Sequence, residues 1–390
     1  MEHEYKRLGD YIKQIDVRNK ELVITKLLGV SISKKFISSI ANTVGTDLSN
    51  YKIVRTGQFA YGPVTSRNGD KISIAYLTES DCIVSSSYTV FEVTKLCELN
   101  PEYLMLWFSR PEFDRYARFM SHGSVREIFD WDEFCRIEFP LPSIEKQNEI
   151  VTSYKAITNR IALKQNINDN LVHVGVASIQ KNIGKGALIN LTDSEMESLV
   201  LKDGFTVKPV SDFCSDTKSG STPSRTTNEF WEGGTIPWVK SGEVHNNITL
   251  RTEECITKEG LDGSSTKLLP KDTVLMAMYG VTAGEVGYLA IEATTNQAIC
   301  GMICNTKAEA AYLYFALIQS QAAISRLSNG GAQDNLSKNF IDGINLVVPP
   351  SEIIESLNLS AIIEQMTLNT KEIFVLEELQ STALAQLSSR

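Results

Sequence analysis

Tyr103-Leu104-Met105-Leu106-Trp107-Phe108 is echoed 209 residues later by Tyr312-Leu313-Tyr314-Phe315-Ala316-Leu317. Ser121-His122-Gly123-Ser124 and Ser328-Asn329-Gly330-Gly331 repeat at an offset of 207, and Pro142-Ser143 and Pro350-Ser351 at 208. Upstream, Tyr61-Gly62 pairs with Tyr279-Gly280 at an offset of 218, so the early part of the plan tolerates insertions. Landmarks in one order at nearly one offset mark an internal repeat, and the chain reads as two copies of one plan.

Each copy opens with a mixed part. Short apolar runs bounded by Gly, Asn, Ser and Pro predict strands at Lys71–Leu77, Cys82–Val84, Thr89–Val93 and Ile137–Pro140. Their counterparts are Thr273–Met278, Gly287–Ile291, Ala298–Cys304 and Ile344–Val348. One helix is predicted inside each copy, over Pro101–Arg118 and Lys307–Leu327, with Asn100 and Asn305-Thr306 as N-caps.

A long helix closes each copy. Ile150, Tyr154, Ile157, Ile161, Lys164, Asn168 and Leu171 recur at alternating steps of 4 and 3. So do Leu359, Ile362, Met366, Asn369, Ile373, Leu376, Gln380, Ala383 and Leu387, starting with a step of 3. This is a heptad seam, and one seam alone cannot bury itself, so the two helices are expected to pack as an antiparallel coiled coil. The first would run ~57 Å from Ser143 to Gln180 at 1.5 Å per residue. Asn168 and Asn369 interrupt the seam; whether they meet depends on a register the sequence does not give.

The expected fold class is therefore α/β (α+β), with two tandem domains separated by two long helices. The boundaries are 1–142 for the first domain, 143–180 for the first long helix and 181–204 for a connector. The second domain is 205–350 and the second long helix 351–390. Within the connector, Asp193–Leu201 reads as a short amphipathic helix.

The 390 residues, 42 % hydrophobic and 22 % charged, are ordinary for a globular chain of two or three domains. No run of about 18 apolar residues occurs, and the first residues have no apolar signal core, so a cytoplasmic location without membrane contact is expected. Seven cysteines scattered over this length fit reduced thiols. The formal net charge is −9. By region it is −1 over residues 1–142, 0 over 143–204, −4 over 205–350 and −4 over 351–390. Charge alone does not recommend a nucleic-acid partner, since phosphate contacts need Lys and Arg.

Catalytic signatures are missing. The sequence has no GxxxxGK[ST] phosphate loop, no HExxH and no GxSxG elbow. The Asn-Pro-Pro-aromatic motif of amino methyltransferases is also absent. Four dispersed histidines and the lone Cys300/Cys304 spacing do not make a metal site. The chain reads as a binder with no cofactor of its own.

What the mixed parts offer is loops of small hydrogen-bonding residues. In the first copy they present Ser66, Arg67 and Asn68, then Ser86 and Tyr88, then His122, Ser124 and Arg126. In the second they present Lys218, Ser221, Thr222 and Arg225, then Lys240 and Ser241, then Tyr279, Asn296 and Gln333. Arg suits guanine, Asn and Gln suit adenine, and glycines allow close approach to phosphate. Corresponding positions differ: Arg126 against Gln333, His122 against Asn329, Ser87 against Asn296. Two similar scaffolds with different reading residues suit two different half-sites.

Over essentially its whole length the sequence resembles the specificity subunits of type I restriction–modification systems. Leu8-Gly9-Asp10 and Phe139-Pro140-Leu141-Pro142-Ser143-Ile144-Glu145-Lys146-Gln147 carry the resemblance in copy one. Ser219-Gly220-Ser221-Thr222-Pro223-Ser224, Thr295-Asn296-Gln297-Ala298-Ile299-Cys300, Gly330-Gly331-Ala332-Gln333 and Val347-Val348-Pro349-Pro350-Ser351 carry it in copy two. Copy one has Asp16-Val17-Arg18-Asn19 where copy two has its Gly-Ser-Thr-Pro element, and copy two has Glu352-Ile353-Ile354-Glu355 in place of Glu-Lys-Gln.

The resemblance implies two target-recognition domains, each reading one half of a bipartite site on double-stranded DNA. The helices would set the spacer and dock two methyltransferase subunits, and motor–nuclease subunits would join. S-adenosylmethionine, ATP and Mg²⁺ would belong to those partners. The chain itself would be non-catalytic, and the assembly an adenine-N6 DNA methyltransferase and ATP-dependent endonuclease. The alternatives are the recognition subunit of a type IIB-like system and a coiled-coil scaffold without DNA contact.

Overall fold

The structure is a computed structural model. It describes residues 5–39, 45–66, 68–69, 71–122, 127–189, 199–328 and 335–387. Two compact units emerge: Met1–Arg160 with Leu376–Arg390, and Ile161–Val375. Each unit thus takes one part of each long helical segment.

The first unit begins with β1 (Tyr5–Arg7), β2 (Ile12–Ile15), β3 (Leu28–Val30), β4 (Phe36–Ser38) and β5 (Lys52–Val54). Then come β6 (Phe59–Tyr61), β7 (Ile74–Tyr76), β8 (Cys82–Val84) and β9 (Thr89–Val93). Helices α1 (Pro101–Phe108), α2 (Pro111–Phe119) and α3 (Trp131–Arg136) lead to β10 (Glu138–Pro140) and α4 (Ile144–Asn182). The main sheet is antiparallel in the order β2-β9-β6-β7. Strand alternation sends Phe59, Tyr61, Ile74, Phe91 and Val93 towards the helices, where they meet Phe108 and Phe134. Ala60, Ala75 and Val90 face the other way, onto Leu28, Val30 and Val84. Rings stack in the helix-side core, Phe59 on Phe91 at 4.8 Å and Tyr61 on Phe134 at 4.7 Å between centroids. Ile150, Val151 and Leu387 seal its edge, and Gln380 donates to the Thr158 hydroxyl at 2.7 Å.

The second unit holds β11 (Ala187–Leu188), β12 (Thr206–Pro209), α5 (Val210–Phe213), β13 (Asp216–Ser219) and β14 (Ile236–Val239). It continues through β15 (Ile248–Thr249), β16 (Glu254–Ile256), α6 (Lys258–Asp262), β17 (Val274–Ala277) and β18 (Val286–Leu289). Next are β19 (Thr294–Thr295), β20 (Ile299–Ile303), α7 (Lys307–Ser328), α8 (Lys338–Asp342) and β21 (Asn345–Val348). It ends in α9 (Ser351–Ser356) and the part of α10 (Leu359–Gln386) up to Val375. The main sheet is β13-β20-β17-β18-β15. Its first four strands pair as β2-β9-β6-β7 do, all antiparallel.

The smaller sheets repeat too. β14 lies antiparallel to β16 and parallel to β19, as β3 lies antiparallel to β4 and Leu27 bridges Ile83 in parallel. The antiparallel pair β5/β8 has its counterpart in the Leu269–Ala293 bridge. The repeat read from the sequence is therefore a repeat of topology.

In this unit α4 packs on α7 so closely that a Cβ on Gly175 would lie 2.4 Å from the Phe315 ring. It also pairs with α10. Lys164 bridges Glu372 at 2.8 Å, whereas four residues on, Asn168 reaches back to Thr370 and Met366. Rising numbers on one helix meet falling numbers on the other, so the pair is antiparallel. Ile161, Leu359, Met366, Asn369 and Ile373 of the heptad seam are buried, as its spacing requires.

Three expectations are revised and a fourth falls mostly outside the described residues. The helix over Pro101–Arg118 is two helices, because Pro111 lacks an N–H and Arg110 before it is extended. The second long segment is also two helices, α9 and α10, parted at Asn358 with φ +51°. Tyr61 does not correspond to Tyr279. Tyr61 points into the helix-side core, the place that Met276 and Met278 take in the second unit, whereas Tyr279 is 39 % exposed. A shift of one residue along a strand reverses the face. Finally, most of the helix expected at Asp193–Leu201 lies outside the described residues.

Candidate nucleic-acid interface

In the second unit, parallel pairing of Trp238 with Thr294 and Val239 with Thr295 fixes where the chain leaves the small sheet. Lys240 and Asn296 depart side by side, and the Asn296 amide donates to Val239 O at 3.0 Å. From the main sheet, Ala277 pairs with Ile299, and Met278 N donates to Ala298 O at 2.8 Å. Tyr279 therefore leaves beside Asn296-Gln297. Gly220 lets a third loop come down on this edge: a Cβ there would lie 2.1 Å from Thr295 Oγ1 and 2.4 Å from Asn296 O. Ser221 N donates to Thr295 O at 2.9 Å, and the Thr222 hydroxyl to Gln297 Oε1 at 2.5 Å. Thr282 ties in Ser241 by donating to its carbonyl at 3.1 Å.

Six of the sequence-predicted residues (Ser221, Thr222, Lys240, Ser241, Tyr279 and Asn296) thus gather at one edge. Lys218 does not; it sits within β13 opposite Gly301, paired with Asp216 at 3.2 Å. Gln333 lies outside the described residues.

Arg225 joins the edge through aromatic neighbours. Its guanidinium lies 3.6 Å from the centre of the Trp231 ring and 4.9 Å from that of Trp238. The indoles are edge-to-face, and their N–H groups are anchored on Ser224 O and Ser221 O, each at 3.0 Å. Arg225 Nη1 donates to Glu254 Oε2 at 2.5 Å. Lys240 Nζ takes the other oxygen at 3.3 Å and reaches Glu253 at 2.5 Å. The Arg225 hydrogen bond, with Lys240 assisting, holds the Glu254 carboxyl below its usual pKa. The bond to Glu253 raises that of Lys240. Two cations and two carboxylates balance one another.

In the first unit, Ile128 bridges both Val64 and His122. His122 N donates to Ile128 O at 3.1 Å, and Thr65 N to Glu127 O at 3.0 Å. This puts Val64 and His122 on one small ladder, with Ser66 and Asn68 close after it. Ser66 and His122 are exposed. Asn68 is partly engaged in its own turn, its side chain donating to Val64 O at 3.4 Å. Tyr88 flanks Gly62, its hydroxyl accepting from Val30 N at 3.4 Å, and Ser86 stands on the exposed turn before it. Arg67, Ser124 and Arg126 lie outside the described residues.

Residues 15–173 and 202–378 each match the model of the type I restriction modification DNA specificity domain. This chain belongs to that family. Among curated specificity subunits it is 27 % identical over 135 residues to that of type I restriction enzyme EcoR124I/EcoR124II of Escherichia coli. That alignment covers 33 % of either chain. It is also 27 % identical over 154 residues to that of MjaIX of Methanocaldococcus jannaschii, covering 37 % of this chain and 34 % of the relative. The chain thus spans about a third of the length of these relatives. Its fold is like that of the type I restriction-modification S subunit from M. genitalium, with TM-score 0.55 and 14 % identity over 99 % of this chain and 96 % of the other.

In these specificity domains the sequence reading missed the support beneath the candidate edge. Trp231 was unmarked, although it is one of only four tryptophans and stands six residues from Arg225. Glu253 and Glu254, the counter-charges of Arg225 and Lys240, lie on the far side of a loop that periodicity does not fold. Among the described residues no group of three or more His, Cys, Asp or Glu is placed to hold a metal. No described helix is long and apolar enough to cross a membrane.

Proposed function

We propose that this chain is the DNA sequence-specificity subunit of a type I restriction–modification complex, without catalytic groups of its own. Each unit reads one half of a bipartite site on double-stranded DNA. The paired helices set the spacer and dock two methyltransferase subunits, and motor–nuclease subunits complete the assembly in the cytoplasm. S-adenosylmethionine, ATP and Mg²⁺ enter with those partners.

The observation that carries this reading is the double family match, one on each copy of the strand plan. The two copies offer different residues: Ser66, Asn68, Ser86, Tyr88 and His122 in one, and Ser221, Thr222, Arg225, Lys240, Ser241, Tyr279 and Asn296 in the other. Arg67, Ser124, Arg126, Lys218 and Gln333 complete the proposed contacts. The net charge of −9 and the ion-paired cations argue for weak phosphate binding by the chain alone. The methyltransferase subunits would then clamp the DNA.

The test is to exchange residues 205–350 for those of a relative with a known site, express the complex, and sequence the methylated motif. One half of the motif is expected to change while the other half and the spacer stay. An unchanged motif would refute the reading and leave a scaffolding role.

A further inference from the structure

We propose that Arg225, clamped by Trp231 and Trp238 and anchored by Glu254, reads a guanine edge in the major groove of the half-site bound by the second unit. This rests on the proposed role of the chain as a DNA reader.

Arginine can serve DNA in two ways. As a phosphate contact it acts by charge, and its long flexible stem is no handicap. As a base reader it must present two parallel N–H groups in one plane, so orientation decides.

Arg225 has the second character. Its guanidinium lies over one indole, 3.6 Å from the ring centre, and 4.9 Å from the centre of a second set edge-to-face to the first, so it is held from two sides. The indoles are held in turn by the Ser224 and Ser221 carbonyls. Glu254 takes Nη1, which fixes rotation within the plane. The Nε–Nη2 edge keeps two parallel donors, and the side chain is half exposed. Little rotamer freedom is left to lose when that edge meets a base.

The charge argument points the same way. Glu254 and Glu253 offset Arg225 and Lys240, so the cluster has little net attraction for a phosphate. The remaining donors suit neutral acceptors, and guanine presents two, O6 and N7, at the spacing of the guanidinium fork. The position fits as well. Trp238 belongs to the strand that delivers Lys240 beside Asn296, and its indole holds the carbonyl of Ser221.

The test uses the whole methyltransferase complex carrying wild-type, R225A or R225K chain. Its readouts are the methylated motif and the salt dependence of DNA binding. Both variants are expected to lose preference for guanine at one position of one half-site, by roughly ten- to a hundredfold, with the other half-site intact. The slope of binding against salt should stay that of wild type. R225K keeps the charge and guards against a folding artefact of the truncation. Uniform weakening across sequences, with a slope shallower by about 1, would make Arg225 a phosphate contact and overturn the assignment. An intact wild-type motif that R225K reproduces at every position also overturns it, and leaves the DNA-reading role standing. A wild-type complex that methylates no bipartite motif overturns that role and this assignment together.

Discussion

Asn369 donates to Asn168 at 2.9 Å across the helix pair of the second unit, with only 1 % of Asn369 exposed. Each asparagine has other partners. Asn369 Oδ1 accepts from Lys164 Nζ and Gln365 Nε2, each at 3.1 Å, and Asn168 donates to Thr370 Oγ1 at 3.2 Å. The network holds only if α4 and α10 are in this register, since a shift of one turn would bury an amide against aliphatic side chains. Asn369→Leu removes one half of the pair and should cost about 1–3 kcal/mol. Asn168→Leu with Asn369→Leu replaces both amides by apolar groups and should regain most or all of that loss. Denaturant unfolding of the wild type and both variants reads this out; a double variant less stable than Asn369→Leu would refute the account.

Gln147 gives physical content to the Glu145-Lys146-Gln147 run. Fully buried at the start of α4, it donates to Glu98 O at 2.8 Å and Pro142 O at 2.9 Å, and accepts from Asn100 N at 2.8 Å. It thereby joins the cap of α1 to the start of α4. Gln147→Leu leaves two carbonyls and an N–H without partners and should cost about 2–4 kcal/mol. Gln147→Glu keeps the acceptor and should fall between. Thermal melts of the chain rank the three, and equal melting points would show that water replaces the bonds.

How much of this was legible varies with the range of the interaction. The seams from Ile150 to Leu171 and from Leu359 to Leu387 could be read because helix periodicity is local. The strand runs Thr89–Val93 and Ala298–Cys304 could be read because buried central strands are mostly apolar, with Glu92 the one charged exception. The break at Asn358 could not, since it falls one residue before the heptad seam begins at Leu359, where no hydrophobic spacing is interrupted to mark it. Of the candidate edge, the loop residues were visible by type. Their convergence was not, because it depends on Val239 and Thr295 ending paired strands, a contact 56 residues apart in sequence. Ion pairing of Arg225 and Lys240 is likewise long-range and invisible to composition.

Lys34 and Asp114 form a buried ion pair in the first unit, at 2.5 Å with 10 % and 11 % of the side chains exposed. Asp114 also accepts from Ile72 N at 3.0 Å, so one carboxylate fastens the β3–β4 hairpin and the start of β7 to α2. Burial pulls the Lys34 amine below its usual pKa, with Asp114 opposing. Asp114→Ala strands that amine and should cost about 3–5 kcal/mol. Lys34→Met with Asp114→Leu removes both charges and should be far milder. Unfolding midpoints at neutral pH decide. A double variant as damaged as Asp114→Ala would show that the bond to Ile72 N, not the ion pair, carries the stability.

Gly220 has no room for a side chain, because Thr295 and Asn296 backbone and hydroxyl atoms lie within 2.1–2.4 Å of where a Cβ would stand. Gly220→Ala must therefore lift the Ser221-Thr222 loop off Asn296, at a cost of about 1–3 kcal/mol. The effect on reading should be confined to one half-site. Methylome sequencing of the Gly220→Ala complex is expected to show the second unit's half of the motif relaxed and the first unit's half unchanged.

The Glu254 cluster also sets a pH dependence. Its pKa is depressed in the folded chain, chiefly by the hydrogen bond from Arg225, so the unfolded chain binds the proton more readily. The stabilisation is therefore present above the ordinary glutamate range and is lost as pH falls through the lowered folded value. Glu254→Gln removes this titration and should flatten the acid limb of the stability curve while leaving its neutral plateau nearly in place, since both partners are partly exposed. Arg225→Lys keeps a charge beside Glu254 but loses the guanidinium held over the indoles, so its acid limb should lie between those of wild type and Glu254→Gln. Melting temperature measured from neutral to acid pH for the three chains tests this. An acid limb identical in wild type and Glu254→Gln would mean that Arg225 is held by its tryptophans alone.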